Sequence, residues 1–214
     1  CHHNPSSANE RPAILAEIAQ GVGFINYTAH CSTGGWSNPP VGFITIDTLG
    51  CTQPTVFVNN CCQSNDFGAT CFGERLLRKP LGGAIGVIGA TNSTLWEEDY
   101  YWAVGPKYPF SLEPTYDSLH RGAFDLWLDG DATTMGALLI AGNMSVLAFG
   151  SPYEKFYWEI YCLLGDPSLR PYLGIPGHIS LWTPDTLTVG ATEIRASGTQ
   201  GAPVPAAQGD PLLG

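Results

Sequence analysis

Charge is what this sequence has least of. Only 13% of its 214 residues are Asp, Glu, Lys or Arg, with 9 basic against 19 acidic. A formal charge of −10 argues against nucleic acid and against anionic membrane surfaces as partners. It favours cationic substrates through long-range steering, which salt weakens. No apolar run reaches the roughly 18 residues that a membrane-spanning helix needs. The cysteines, at 1, 31, 51, 61, 62, 71 and 162, show no paired CxxC set, which removes the usual structural zinc site. The chain opens on Cys1-His2-His3 with neither a Met nor a signal-peptide pattern, so the expectation is a piece of a longer precursor. His2 and His3 carry no further signal.

What is present points to a folded domain. Apolar content is 44% and aromatic content 11%, enough for a sizeable core. The length allows one domain, or one plus a fragment. Seven cysteines are many for a reducing compartment, so an oxidising, extracellular setting is expected. If one is a nucleophile, six remain, enough for three disulfides in any of about fifteen pairings.

Short apolar runs and helical patterns alternate along residues 12–164. Val56-Phe57-Val58 and Gly83–Ala90 read as buried strands of a mostly parallel sheet, and Gly23–Thr28 as a third. Helices are expected at Pro12–Gln20, Cys71–Arg78, Asp117–Leu128, Asp131–Leu147 with Asp131 as its cap, and Tyr153–Leu164. Val41–Asp47 fits a strand or a short helix. The pattern is that of a doubly wound α/β sheet. Beyond Tyr172, short β-like runs at 178–182, 186–189 and 193–196 resemble the opening strands of a small β-sandwich, too short to complete one. The expected organisation is therefore 1–173 and 174–214.

Reactive groups in such sheets collect beyond the carboxyl ends of strands. One strand ends in Asn60-Cys61-Cys62 and another in Ala29-His30-Cys31. Side chains alternate along an extended chain, so one of the two adjacent cysteines should face a given cleft. A thiolate is the nucleophile that a neighbouring imidazole can generate, which makes a Cys and His30 a candidate pair. Buried structural residues would give the same pattern. Trp36 either walls a pocket or covers the core edge. Glu97, Glu98 and Asp99 either complement the positive end of a helix or place one acid in a cation pocket.

Several segments together resemble the gingipain family of secreted cysteine endopeptidases, whose fold is caspase-like. They are Ile25–His30, Asn60–Cys62 with Phe67, Cys71–Glu74, Trp96–Trp102, Ala141–Asn143 and Tyr161–Ser168, in the family's order. The resemblance implies an α/β catalytic domain with helices on both faces, followed by an immunoglobulin-like module. It implies His30 as the catalytic histidine and Cys62 as the nucleophile, with Cys61 pointing into the sheet. It implies Asp99 at the base of the primary specificity pocket, with Trp96, Asn60 and Thr28 lining it. Lysine is then the favoured P1 residue and arginine the second. Phe67, through its carbonyl, and Glu74 match calcium ligands of the lysine-specific branch, and calcium takes such hard oxygens. The family usually has Gly where this chain has Cys31, and a tyrosine where it has Leu95. The acid that orients the histidine is expected upstream, in another segment of the precursor. The expected partners are protein or peptide substrates with a basic P1 residue. Two rivals remain: a cell-surface transpeptidase of the same family, and a non-catalytic adhesive domain with all its cysteines bridged.

Overall fold

The computed structural model describes residues 10–50, 55–80, 82–105 and 122–171, with the backbone of two strands at 179–182 and 197–200. The chain divides into two compact units, residues 1–171 and 172–214. The first begins with helix α1 (Arg11–Gln20), whose start carries a proline and whose end is Gly21. Strand β1 (Phe24–Thr28) follows, then a small antiparallel meander of β2 (Cys31–Ser32), β3 (Gly35–Ser37) and β4 (Pro40–Gly42). Helix α2 (Phe43–Thr48) continues directly from β4, so Val41–Asp47 is a strand end followed by a helix. Next come β5 (Thr55–Asn60), α3 (Phe72–Arg78), β6 (Ala84–Ala90) and α4 (Trp96–Val104). The unit closes with α5 (Ala123–Leu128), α6 (Met135–Phe149), α7 (Glu154–Ile160) and β7 (Tyr161–Gly165). In the second unit β8 (Ile179–Trp182) pairs antiparallel with β9 (Ser197–Gln200). The strands expected at 186–189 and 193–196 lie outside the described residues.

The main sheet has the order β1-β5-β6-β7. The first three strands are parallel and β7 runs antiparallel to β6. Every residue of β5 is buried, which is why it reads as a continuous apolar run. Its side chains alternate between two cores. Val56 and Val58 pack with Ile88, Trp102, Met135, Leu138 and Tyr157 on one face. Phe57 packs with Val87, Trp36, Ile46, Phe72 and Leu76 on the other. Helices therefore cover both faces, the arrangement of a caspase-like α/β domain.

Three helix expectations need correction. The run from Tyr153 is helical only to Ile160, and Tyr161–Gly165 is β7. No Gly or Pro marks the change; the ladder with β6 imposes it. Helix α6 is capped by Thr134, whose Oγ1 accepts from the Ala137 amide at 3.2 Å. Asp131 instead belongs to the turn closing α5, its amide donating to the Leu126 carbonyl. Met144 lies on the exposed side of α6, whose buried side runs through Met135, Leu138, Ala141, Gly142, Ser145 and Val146. The α5 helix starts at Ala123; residues 117–121 of that expectation are outside the described set.

Candidate active site

The sheet register brings the site together. Thr28 at the end of β1 lies opposite Asn60 at the end of β5. His30 and Cys62 each follow two residues later, on parallel strands leaving the same sheet edge. A disulfide links Cys31 to Cys61 with their Cα atoms 5.6 Å apart. With about 3.8 Å between consecutive Cα atoms, the Cα atoms of His30 and Cys62 cannot lie more than about 13 Å apart. Cys31 Sγ also lies 2.8 Å from the Cys62 carbonyl oxygen. A half-cystine has no proton to give, so this is a close sulfur–oxygen contact and not a hydrogen bond. The His30 carbonyl accepts from Tyr27 Oη at 2.7 Å and from the Ser37 amide at 2.9 Å, which pins its loop.

Cys61 is fully buried and bridged, while Cys62 is free and partly exposed. The chain turns sharply just after it, with Gln63 at φ 55°, a left-handed conformation uncommon for a side chain of that size. The following loop packs so closely that a Cβ on Gly89 would meet Ser64 Oγ at 2.2 Å.

Behind the thiol is a polar cluster. The Thr94 amide donates to Cys62 Sγ at 3.3 Å, and Thr94 Oγ1 lies 3.6 Å from the same sulfur. Thr94 Oγ1 donates to Asp99 Oδ2 at 2.5 Å. Asp99 Oδ1 faces the hydroxyls of Tyr157 at 2.8 Å and Tyr161 at 2.7 Å. Asn60 Nδ2 donates to the Asp99 carbonyl at 2.9 Å, and its Oδ1 takes the Tyr161 hydroxyl in a short bond. Asp99 is 5% exposed. Burial pushes its carboxyl up to about 6, against the three hydroxyl hydrogen bonds that lower it, with neighbouring Glu98 adding to the rise. Burial and then the Asp99 charge raise both tyrosines, which stay neutral. Glu98 is buried as well and accepts from Ser151 Oγ at 2.6 Å. Of the three acids in the first turn of α4, only Glu97 faces solvent.

His30 and Trp96 stack with ring centroids 5.9 Å apart. Trp96 is 58% exposed, an open aromatic wall two residues from Thr94. Trp36, by contrast, is core. It stacks on Tyr27 at 4.5 Å and donates to Asn59 Oδ1 at 2.9 Å.

The model of peptidase family C25 matches residues 2–172. The chain belongs to peptidase family C25. It is similar to Lys-gingipain of Porphyromonas gingivalis, 33% identical over 171 residues, which is 75% of this chain and 10% of that protein. It spans about a tenth of the length of the curated relatives it matches. A solved structure described as a protease shares 30% identity at a TM-score of 0.74, covering 89% of this chain and 45% of that one. The Arg-specific cysteine proteinase gingipain R shares the fold, at 18% identity and a TM-score of 0.64, over 92% of this chain and 44% of that one.

Of the residues expected in a C25 site, the structure gathers Cys62, His30, Trp96, Asn60, Thr28 and Asp99 at one sheet edge. Phe67 and Glu74 form no second cluster. Phe67 is 68% exposed, and Glu74 Oε1 holds Arg78 Nη1 at 2.9 Å. Calcium takes six to eight oxygen ligands. Among the described residues no group of three or more His, Cys, Asp or Glu comes together to hold a metal. Phe67 and Glu74 by themselves supply too few oxygens for a calcium ion. Sequence reasoning missed Thr94, Tyr157 and Tyr161. The spacing of the two tyrosines was visible, but it reads as one helical face. Thr94 belongs to an Asn92-Ser93-Thr94 sequon, which points to Asn92 and says nothing of the sulfur.

Proposed function

We propose that this chain carries the nucleophile, the histidine and the specificity carboxylate of a secreted cysteine endopeptidase that cleaves after basic residues, lysine first and arginine second. The observation that carries the reading is the convergence of an exposed imidazole and a free thiol on one sheet edge, with a buried carboxylate directly behind the sulfur. The adhesive rival required Cys62 to be bridged, and it is free. Among the described residues no helix is long and apolar enough to cross a membrane.

In the reaction, the Cys62 thiol gives its proton to His30 and Sγ attacks the P1 carbonyl carbon, forming the carbon–sulfur bond as the carbonyl pair moves to oxygen. The amides of Cys62 and of the His30 loop receive the oxyanion. His30 gives its proton to the leaving amine as the C–N bond breaks. It then takes a proton from water as the water oxygen bonds to the acyl carbon; the carbon–sulfur bond breaks, the acid leaves, and the thiolate recovers a proton from His30. Trp96 offers its face to the alkyl stem of the P1 side chain. The ammonium supplies the positive charge that the Asp99 carboxylate lacks, in charge-assisted hydrogen bonds. The acid that orients His30 comes from an upstream segment of the precursor. Calcium at Phe67 and Glu74 would need Glu74 to leave Arg78 and further oxygens from elsewhere.

Cys62→Ala in the full-length protein should abolish peptide hydrolysis and native iodoacetamide labelling at that position. Retained hydrolysis would reject the assignment. Asp99→Ala should cost cleavage after lysine far more than it costs folding; an unchanged P1 profile removes Asp99 from the pocket. A transpeptidase keeps the same dyad, and product masses with an added amine separate transfer from hydrolysis.

A further inference from the structure

Thr94 touches the nucleophile and the buried carboxylate at once. Its amide and its hydroxyl both face Cys62 Sγ, at 3.3 and 3.6 Å, while the hydroxyl donates to Asp99 Oδ2 at 2.5 Å. A threonine hydroxyl has one proton to give. Given to Asp99, it leaves only lone pairs facing the sulfur, which suit a thiol S–H and oppose a thiolate. Given to the sulfur, it stabilises the thiolate.

We infer that Thr94 is a further catalytic residue, whose hydroxyl donates to Asp99 while that carboxylate is uncompensated and turns to the Cys62 thiolate once a substrate cation or a proton claims Oδ2. This deepens the reading above and rests on it for the substrate cation. The turn needs only rotation about one side chain. The loop itself is fixed, with the Leu95 amide donating to Tyr157 Oη at 2.9 Å. Asp99 Oδ1 is engaged by Tyr157 and Tyr161, which leaves Oδ2 to Thr94. The other titratable groups facing this cluster are His30 from the loop after β1, Tyr157 from α7, Tyr161 from β7 and Glu98 beside Asp99. The tyrosines stay neutral and Glu98 is tied to Ser151. Occupancy of the pocket thus reaches the nucleophile through one proton, and a peptide without a basic P1 residue meets a less reactive sulfur.

The test is a double-mutant cycle in the full-length protein, read by the rate of Cys62 alkylation with iodoacetamide between about pH 5 and 9. Asn at position 99 donates to Thr94 Oγ1 and frees its proton for the sulfur. Asp99→Asn should therefore speed alkylation near pH 7, where the wild-type carboxyl is mostly ionised, by roughly fivefold to tenfold, a little under the worth of one hydrogen bond to a charged group. In a Thr94→Val background the same change should give at most about half that gain, the part due to removing a negative charge within about 6 Å of the sulfur. Thr94→Ser should behave as wild type, and Thr94→Ala supplies a second hydroxyl-free background if the valine variant folds poorly. Equal acceleration by Asp99→Asn with and without the hydroxyl overturns the relay. A second arm adds n-butylammonium as a lysine side-chain mimic. It should compete with lysyl peptides and accelerate alkylation in wild type, and compete without accelerating in Thr94→Val. Competition without acceleration in wild type overturns the relay and leaves the pocket standing. No competition removes the pocket, and the mutant cycle alone then decides the relay.

Discussion

Replacing Asp99 by Asn should stabilise this protein at neutral pH while damaging its proposed activity. The Asp99 carboxyl moves from 3.8 to about 6 on folding, chiefly because burial opposes its charge. A raised folded value means that stability is fully present below the unfolded value of 3.8 and is lost as pH rises through about 6. The displacement of about two pH units corresponds to about 3 kcal/mol, at about 1.4 kcal/mol per unit. Above that window the cost is constant. Asn has the same shape, keeps an oxygen facing the two tyrosine hydroxyls, and has no proton to lose. The assay is urea unfolding of wild type and Asp99→Asn across about pH 4 to 8. The stability difference should swing towards Asn by about 2.5 kcal/mol over that range, since a little of the loss lies below its lower end. Parallel curves would refute the argument that burial opposes this charge. A buried group that costs stability at working pH supports the proposed place of Asp99 in the pocket. The same variant should lose cleavage after lysine.

Other outcomes follow from the same structure. Cys31→Ser/Cys61→Ser removes a bridge with a sequence separation of 30, and should cost roughly 3 to 4 kcal/mol of stability by chain entropy. Because the bridge adjoins His30 and Cys62, kcat should fall while KM for a short peptide holds; unchanged kcat would show the dyad independent of it. Tyr161→Phe removes a buried hydroxyl shared by Asp99 and Asn60 and should cost roughly 1 to 3 kcal/mol, with the carboxyl titrating higher still, which the urea series above would reveal. Gly142→Ala places a Cβ 2.0 Å from Trp102 Cε2, and should destabilise by roughly 1 to 3 kcal/mol or more in thermal unfolding. A variant as stable as wild type would contradict that packing.

The strands that build the site could be read directly because each is buried on both faces and therefore apolar throughout. Val56-Phe57-Val58 and Ala84–Ala90 left little choice, and the polar residues ending β5 marked the edge. The segment from Tyr153 to Leu164 was misread for a physical reason. Tyr157 and Tyr161 are four residues apart, and their rings stack at 5.3 Å, as neighbours on a helix would. That pair spans a junction where α7 ends and β7 begins at the next residue, and only the partner strand β6 distinguishes the two. The Thr94 contacts escaped notice because they join residues 32 apart in sequence to one only five away. The one local pattern it belongs to, the Asn92-Ser93-Thr94 sequon, concerns Asn92 and not the thiol. The disulfide pairing lay among many alternatives, and only the register of β1 against β5 selects Cys31 with Cys61.

That pairing also bears on where the proposed thiol chemistry would happen. The sheet aligns Thr28 with Asn60, but beyond that point each chain leaves on its own course, and a dyad needs a restraint that the ladder no longer supplies. The bridge supplies it one residue after His30 and one before Cys62. It also takes Cys61 out of contention, so two adjacent cysteines present one reactive sulfur. Cys71 is buried, and burial pushes the Cys162 thiol up. Among the described residues, Cys62 is then the free thiol with an imidazole-bearing loop tethered beside it and an amide donating to its sulfur. The proposed nucleophile, in the proposed extracellular setting, would gain from this arrangement, since its nearest neighbour in sequence is already bonded elsewhere and is no longer a free thiol to pair with it.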